Sequence, residues 1–166
     1  MTDKTFRIAS PADAARCFDV EAAGYNADEA ATLEKISKRI AEHPQGFVLL
    51  ETGGEIVGFI NSGCTHEVEM SDEDIKDLIG HDPSAPHVVI LSVVVDPAYQ
   101  GLGLSTALMS EFVRRMEEAG KATIHLMCKR PLVPLYERFG YRYIKPSGSA
   151  HGGAEWHEMM MDLPKV

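Results

Sequence analysis

Apolar and polar positions along this chain repeat with two different periods, and the changes of period mark out its elements. "KTFRIA", Lys4 to Ala9, alternates as a short strand does. Ser10, Pro11 and Asp13 then supply the residues that open a helix, predicted over Pro11–Ala23. A second helix is expected after Asn26, with Ala30, Leu33, Ile36 and Ile40 on one face and Pro44 just beyond its end. "GFVLLE" and "EIVGFINSGC" read as two strands joined by a turn around Gly53–Gly54, the signal of a hairpin. "HVVILSVVV", His87 to Val95, is nearly unbroken apolar and β-branched, as a strand buried on both faces should be. Leu104, Ala107, Leu108, Phe112 and Met116 mark an amphipathic helix that ends near Gly120. "ATIHLMC" is a further buried strand, and Pro131 opens a helix that stops at Gly140. "YRYIK" and "EWHEMMMDL" are the last strands, with a turn around His151-Gly152-Gly153 between them. The order βααββ, βα, βα, ββ predicts an α/β (α+β mixed) fold: a mixed central sheet of about seven strands with flanking helices.

Composition narrows the class. A chain of 166 residues reads as one domain, 1–166, long enough to bury a core. Hydrophobic residues make up 45% and charged residues 25%, as in soluble globular proteins. No apolar run approaches the roughly 18 residues of a membrane helix, so no membrane partner is expected. "MTDKTFRIAS" lacks the basic-then-apolar pattern of a leader, which points to a cytoplasmic protein. Cys17, Cys64 and Cys128 form an odd set without CxxC spacing and read as small buried hydrophobes, not a disulfide framework or metal site. A net charge of −9 argues against nucleic-acid binding. It suits a cationic small substrate, and it equally serves solubility alone. The stretch Glu67 to Asp77, "EVEMSDEDIKD", holds six acids and one lysine and reads as an exposed loop with a short helix near Glu73 to Ile79. A solvated loop and an amine-attracting lid are both open to it.

The chemistry concentrates in "VVVDPAYQGLGLSTALM", Val93 to Met109, where a strand passes through glycines into a helix. Such a turn exposes N–H groups that the helix cannot use, and the helix dipole adds to them. A phosphate-binding P-loop would need Gly-Lys-Ser/Thr, and "GLGLST" has no lysine. A dinucleotide-binding turn would need G-x-G-x-x-G/A near the first strand, and Gly101-x-Gly103-x-x-Thr106 comes late and ends wrongly. Gln100-x-x-Gly103-x-Ser105 resembles the acyl-CoA-binding pattern Arg/Gln-x-x-Gly-x-Gly/Ala of the GCN5-related N-acetyltransferases, the GNAT superfamily, with Ser105 departing at the last position. "LMCKRPLVPLYERFGYRYIK", Leu126 to Lys145, resembles the family's next block, and its wording is closest to the arylalkylamine (serotonin) N-acetyltransferases. The similarity runs from about Ile56 to Leu163.

The resemblance implies a GNAT-like sheet whose central parallel strands splay to form the acyl-CoA cleft. It implies acetyl transfer from acetyl-CoA to a primary amine by direct attack in a ternary complex. Main-chain groups of Val93, Val94 and Val95 would meet the pantetheine arm, and N–H groups of Gln100, Gly101, Leu102, Gly103, Leu104, Ser105 and Thr106 the pyrophosphate. Tyr136 matches the tyrosine beside the sulfur and would act as general acid. The histidine pair of the serotonin enzymes falls on Val89 and Leu91, so the base is missing from its usual place. His87, two residues before Val89 and on the same strand face, is the replacement candidate, and a solvated edge histidine is the competing reading. Glu21, His66, Glu67 and Glu69 are further candidates, each more ordinarily a surface group. His125 reads as a core histidine and Cys128 as an inert buried thiol. A non-catalytic acyl-CoA-binding module and a peptide or polyamine acetyltransferase are the alternatives. Edge strands leave pairing into a homodimer open.

Overall fold

The computed structural model describes residues 3–27, 29–70, 73–147 and 155–164. Its strands are β1 (Lys4–Ile8), β2 (Val48–Thr52), β3 (Glu55–Thr65), β4 (His87–Val95), β5 (Thr123–Cys128), β6 (Arg142–Pro146) and β7 (His157–Asp162). Its helices are α1 (Ala14–Gly24), α2 (Leu33–Glu42), α3 (Leu104–Glu118) and α4 (Val133–Arg138). The strands form one sheet in the order β1-β2-β3-β4-β5-β7-β6. Pairs β1/β2, β2/β3, β5/β7 and β6/β7 are antiparallel, and β4/β5 is parallel. This is the mixed seven-stranded sheet with flanking helices that the pattern predicts. The expected turn at residues 151–153 lies outside the described residues.

The chain divides into two compact units, Met1–Ser62 with Leu91–Val113, and Gly63–Ile90 with Arg114–Val166. In the first, Cys17 and Val20 of α1 and Ile36 and Ile40 of α2 share a core with Phe47, Leu49, Ile56, Phe59 and Val94. The Phe47 and Phe59 rings stack at 5.1 Å between centroids. Asp13 fixes the passage from β1 into α1. It accepts from the Ser10 N–H at 2.8 Å and takes the Arg7 guanidinium at 2.7 and 2.8 Å. The helix α2 starts at Leu33, later than the periodicity suggests. Ala30 falls instead in a single turn whose N–H donates to the Asn26 carbonyl, and Thr32 then caps α2 by accepting from the Lys35 N–H at 3.2 Å.

In the second unit the parallel β4/β5 ladder runs through His87/Thr123, Val88/Ile124 and Val89/His125. Beyond β5, all six of its residues pair with β7, from Thr123/Asp162 to Cys128/His157. Ile124, Leu126, Cys128, Tyr136, Tyr141 and Met159 are buried. The Tyr136 ring meets Tyr141 edge-on at 5.9 Å and Phe139 at 6.2 Å. The acidic segment forms a 3-10 turn over Glu73–Asp77, where a short helix is expected near Glu73 to Ile79. Its apolar residues anchor it: Ile75 and Leu78 stand so close to Gly63 of β3 that a Cβ there would meet both at 3.1 Å. All three cysteines are buried and none forms a disulfide. Among the described residues no helix is long and apolar enough to cross a membrane.

Candidate active site

The turn after β4 is built on Asp96. Its N–H donates to the Val57 carbonyl at 2.7 Å, and its carboxylate caps the short 3-10 turn Pro97–Tyr99 by accepting from Ala98 N–H at 3.0 Å. Arg16 of α1 ties the base of the turn down, donating to Asp96 Oδ2 and to the Ile56 carbonyl, both at 3.0 Å. The chain then passes through Gly101 at φ +81° and Gly103 at φ +75°, the left-handed region that glycine alone enters without strain. A Cβ built on either would find no atom within 4 Å, so the turn offers an unobstructed backbone surface. Buried Leu104 anchors the start of α3 while Leu102, 65% exposed, points away. The first helical bond runs from Ala107 N–H to the Gly103 carbonyl at 3.3 Å. The N–H groups of Leu104, Ser105 and Thr106 therefore precede the ladder, and among the described residues none of them donates to a backbone carbonyl.

Along β4, Val94 and Val95 are buried and Val93 is half-buried. The Val93 main chain, assigned by resemblance to an acyl donor, is already engaged. Its N–H donates to the Tyr25 hydroxyl at 3.1 Å, and that hydroxyl donates to the Val93 carbonyl at 2.7 Å. The residue before it, Ser92, belongs to a buried polar group of which the sequence singled out only Glu21. Ser92 donates to Glu21 Oε2 at 3.2 Å and accepts from Arg39 at 3.5 Å, and Arg39 also reaches Asn61 Oδ1 at 3.4 Å. Glu21, a candidate base, also accepts the Ala31 N–H at 2.7 Å. It is 1% exposed and pins the α1–α2 connection.

Tyr136 belongs to the second unit and is 8% exposed. Burial, and after it the neighbouring Cys128, pushes its phenol well above the ordinary tyrosine range. It is therefore held protonated at neutral pH, the form from which a proton is given. Burial likewise pushes the Cys128 thiol up to about 11, which leaves it almost wholly un-ionised and a poor nucleophile. His87 does not stand alone. Its Nδ1 lies 2.7 Å from Thr123 Oγ1, which lies 2.9 Å from His125 Nε2, and the two rings meet edge-on at 6.0 Å. Burial, then the nearby His87, lowers the His125 pKa to about 4, so that ring is neutral at pH 7.

The remaining candidates are scattered. His66 is exposed and pairs with Asp82 at 2.9 Å, holding the Asp82 carboxyl well below its usual range together with Ser84. Glu67 and Glu69 are exposed. Glu158, which the sequence does not mark as a metal ligand or a catalyst, is 8% exposed, and burial raises its carboxyl pKa against the lowering effect of Lys145. Only its β-strand position, opposite Met127, signals that burial.

A family model described as Acetyltransferase (GNAT) family matches residues 13–141. Mycothiol acetyltransferase of Acidothermus cellulolyticus is 31% identical over 147 residues, 84% of this chain and 44% of that protein. An N-alpha-acetyltransferase of Sulfurisphaera tokodaii is 26% identical over 116 residues, 65% of this chain and 63% of that protein. The chain thus spans about half the length of the curated relatives it matches. Among solved structures, the loading GNATL domain of CurA from Lyngbya majuscula superposes with a TM-score of 0.87 at 18% identity, covering 96% of this chain and 98% of that one.

Proposed function

The chain belongs to the acetyltransferase (GNAT) family, and on that premise we propose that it moves an acetyl group from acetyl-CoA to a primary amine. The observation that carries this reading is the turn after β4: two left-handed glycines, an open backbone surface and the free N–H end of a 15-residue helix, all fixed by Arg16 and Asp96. That donor set suits a pyrophosphate, which needs several N–H groups and close approach to the backbone. The donor-binding residues in this reading are Val93, Val94 and Val95 and the run Gln100 to Thr106. Serine at position 105 is small enough to keep the turn open. The family model runs across both compact units, which supports reading 1–166 as one acetyltransferase domain.

Acetyl-CoA, when bound, supplies an activated acyl thioester. The amine nitrogen forms the new C–N bond as the C–S bond breaks, the departing thiolate takes a proton from the Tyr136 hydroxyl, and the proton that the nitrogen sheds on becoming an amide restores the phenol. The amine must first lose its own proton. With a reference pKa of about 10.4, an alkylammonium lies about 3.4 units from neutral at pH 7, or about 4.6 kcal/mol. His87 is the candidate for that proton, reached through water: Thr123 Oγ1 meets its Nδ1 at 2.7 Å, which orients the ring and leaves Nε2 as the nitrogen that would act. The acceptor we favour is an arylalkylamine, on the wording of Leu132 to Gly140. The relatives' names, for a mycothiol and an N-alpha activity, favour other amines, and the experiment must offer both kinds.

The test is acetyl-CoA binding by calorimetry, followed by thiol release with phenylethylamine, tryptamine, spermidine and a peptide with a free N-terminus. Turnover on an arylalkylamine that falls at least tenfold in Tyr136→Phe is the expected result. Turnover confined to the peptide or spermidine removes the arylalkylamine acceptor and keeps the family chemistry. Acetyl-CoA binding without thiol release for any acceptor would leave a non-catalytic acyl-CoA-binding module as the better reading.

A further inference from the structure

The C-terminal end of α1 grips three consecutive residues of β4. Glu21 accepts the Ser92 hydroxyl at 3.2 Å. Tyr25 takes both main-chain groups of Val93. Gly24 lies so close to Val94 that a Cβ would come within 2.3 Å of its Cγ2. Tyr25 itself is the residue at which α1 ends, with an extended backbone (φ −123°, ψ 155°) and its N–H on the Glu21 carbonyl at 3.0 Å. The phenol is thus delivered by the helix end, and the missing side chain at position 24 is what lets it arrive.

The Val93 contact is unusual in kind. The N–H and C=O of one strand residue point to the same edge and ordinarily meet a neighbouring strand. Here a single hydroxyl, which both accepts and donates, satisfies the two groups. A main-chain group left unpaired away from water costs free energy, so the phenol removes a penalty from the free protein. A ligand that presents its own acceptor and donor to Val93 meets no such penalty, but it must first displace the hydroxyl.

We propose that Tyr25 is an internal stand-in for the acyl donor: its hydroxyl holds the Val93 main chain until the amide-bearing arm of acetyl-CoA takes those groups. This rests on the reading of Val93 as a donor-binding residue. Tyr25 is a positioning residue in this account. It keeps the strand satisfied when the donor is absent, and it is released when the donor enters. Donor affinity is set by the difference between two sets of hydrogen bonds and not by the arm's contacts alone.

Two variants test this, with acetyl-CoA as the probe. Tyr25→Phe leaves the ring and removes the competitor. Gly24→Ala keeps the hydroxyl and pushes the helix end off Val94. Both are expected to bind acetyl-CoA at least threefold more tightly by calorimetry. Amide exchange gives the independent readout. The Val93 N–H is expected to be slow in the free wild type, fast in free Tyr25→Phe, and slow again in that variant's acetyl-CoA complex. In the wild-type complex the Tyr25 ring resonances should move. Unchanged or weaker acetyl-CoA binding in both variants would overturn the assignment while leaving the family reading intact, as would a Val93 amide equally protected in free Tyr25→Phe. No acetyl-CoA binding by the wild type or either variant would overturn the donor site itself.

Discussion

At Gly103 the backbone sits at φ +75° with no atom within 4 Å of where a Cβ would be, so strain and crowding can be separated there. Gly103→Ala introduces no clash and asks an L-residue to hold a left-handed conformation, a cost of about 1 kcal/mol. The turn relaxes to escape that cost, and the N–H groups lose their common aim. We expect acetyl-CoA binding to weaken about fivefold, equivalent to about 1 kcal/mol, with little change in the urea midpoint. Gly58 is the contrast: a Cβ there would come within 2.8 Å of the Val94 carbonyl oxygen, so Gly58→Ala should lower the midpoint sharply. The glycine turn was legible in the sequence because its signal is local: a strand, Asp-Pro, two glycines and a helix within a few residues. Tyr25 was not, because its hydroxyl meets a main chain 68 residues away and no side-chain pattern marks such a partner. His87 and His125 were each visible, but only the register that sets His87 opposite Thr123 joins them into one hydrogen-bonded chain.

Buried or half-buried charges fasten elements of the first unit to one another, besides the Arg16–Asp96 pair of the turn. Glu21 of α1 receives the Ala31 N–H and the Ser92 hydroxyl, so one carboxylate holds the α1–α2 connection and β4 together. Removing it leaves those donors unpaired in the core, and Glu21→Ala should cost about 3 kcal/mol in urea unfolding. If Glu21 were instead the base, the loss would appear in turnover with stability intact. The second fastening is Arg7 with Asp13, where β1 turns into α1. The Arg7 guanidinium, chiefly, holds the Asp13 pKa at about 2, below the ordinary aspartate value of 3.8. A carboxyl lowered by folding stabilises at pH above about 4 and gives that contribution up as pH falls toward 2. With Arg7 39% exposed at its side chain, solvent screening leaves about 1 kcal/mol. Unfolding midpoints between pH 5 and 2.5 should therefore fall more steeply in the wild type than in Arg7→Met. All seven strands were readable because β-branched runs and alternation survive any tertiary context. The start of α2 was not, since Ala30 continues the helical spacing through a turn that Thr32 interrupts.

On the scale of the whole molecule, fold and charge carry different information. The superposition with the CurA domain holds at 18% identity, so the fold tolerates change at most positions and properties such as charge are free to vary. Charge is one of those free properties, and here it opposes the proposed donor: a chain of net charge −9 repels a polyanion such as acetyl-CoA. The turn that would receive the pyrophosphate, Asp96 to Thr106, contains no lysine or arginine. Its attraction comes from N–H dipoles, which release no counterions and weaken little with salt. Long-range repulsion, by contrast, is screened over about 10 Å at 0.1 M salt. The two effects predict an unusual sign. Between 20 and 200 mM NaCl the acetyl-CoA dissociation constant should fall, while the KM of a cationic amine acceptor should rise as its attraction to the acidic surface is screened. A site that held the phosphates with basic side chains would show the reverse for acetyl-CoA. A dissociation constant that rises with salt would therefore move the phosphate contacts from the Gly101–Thr106 backbone to lysines or arginines elsewhere in the chain.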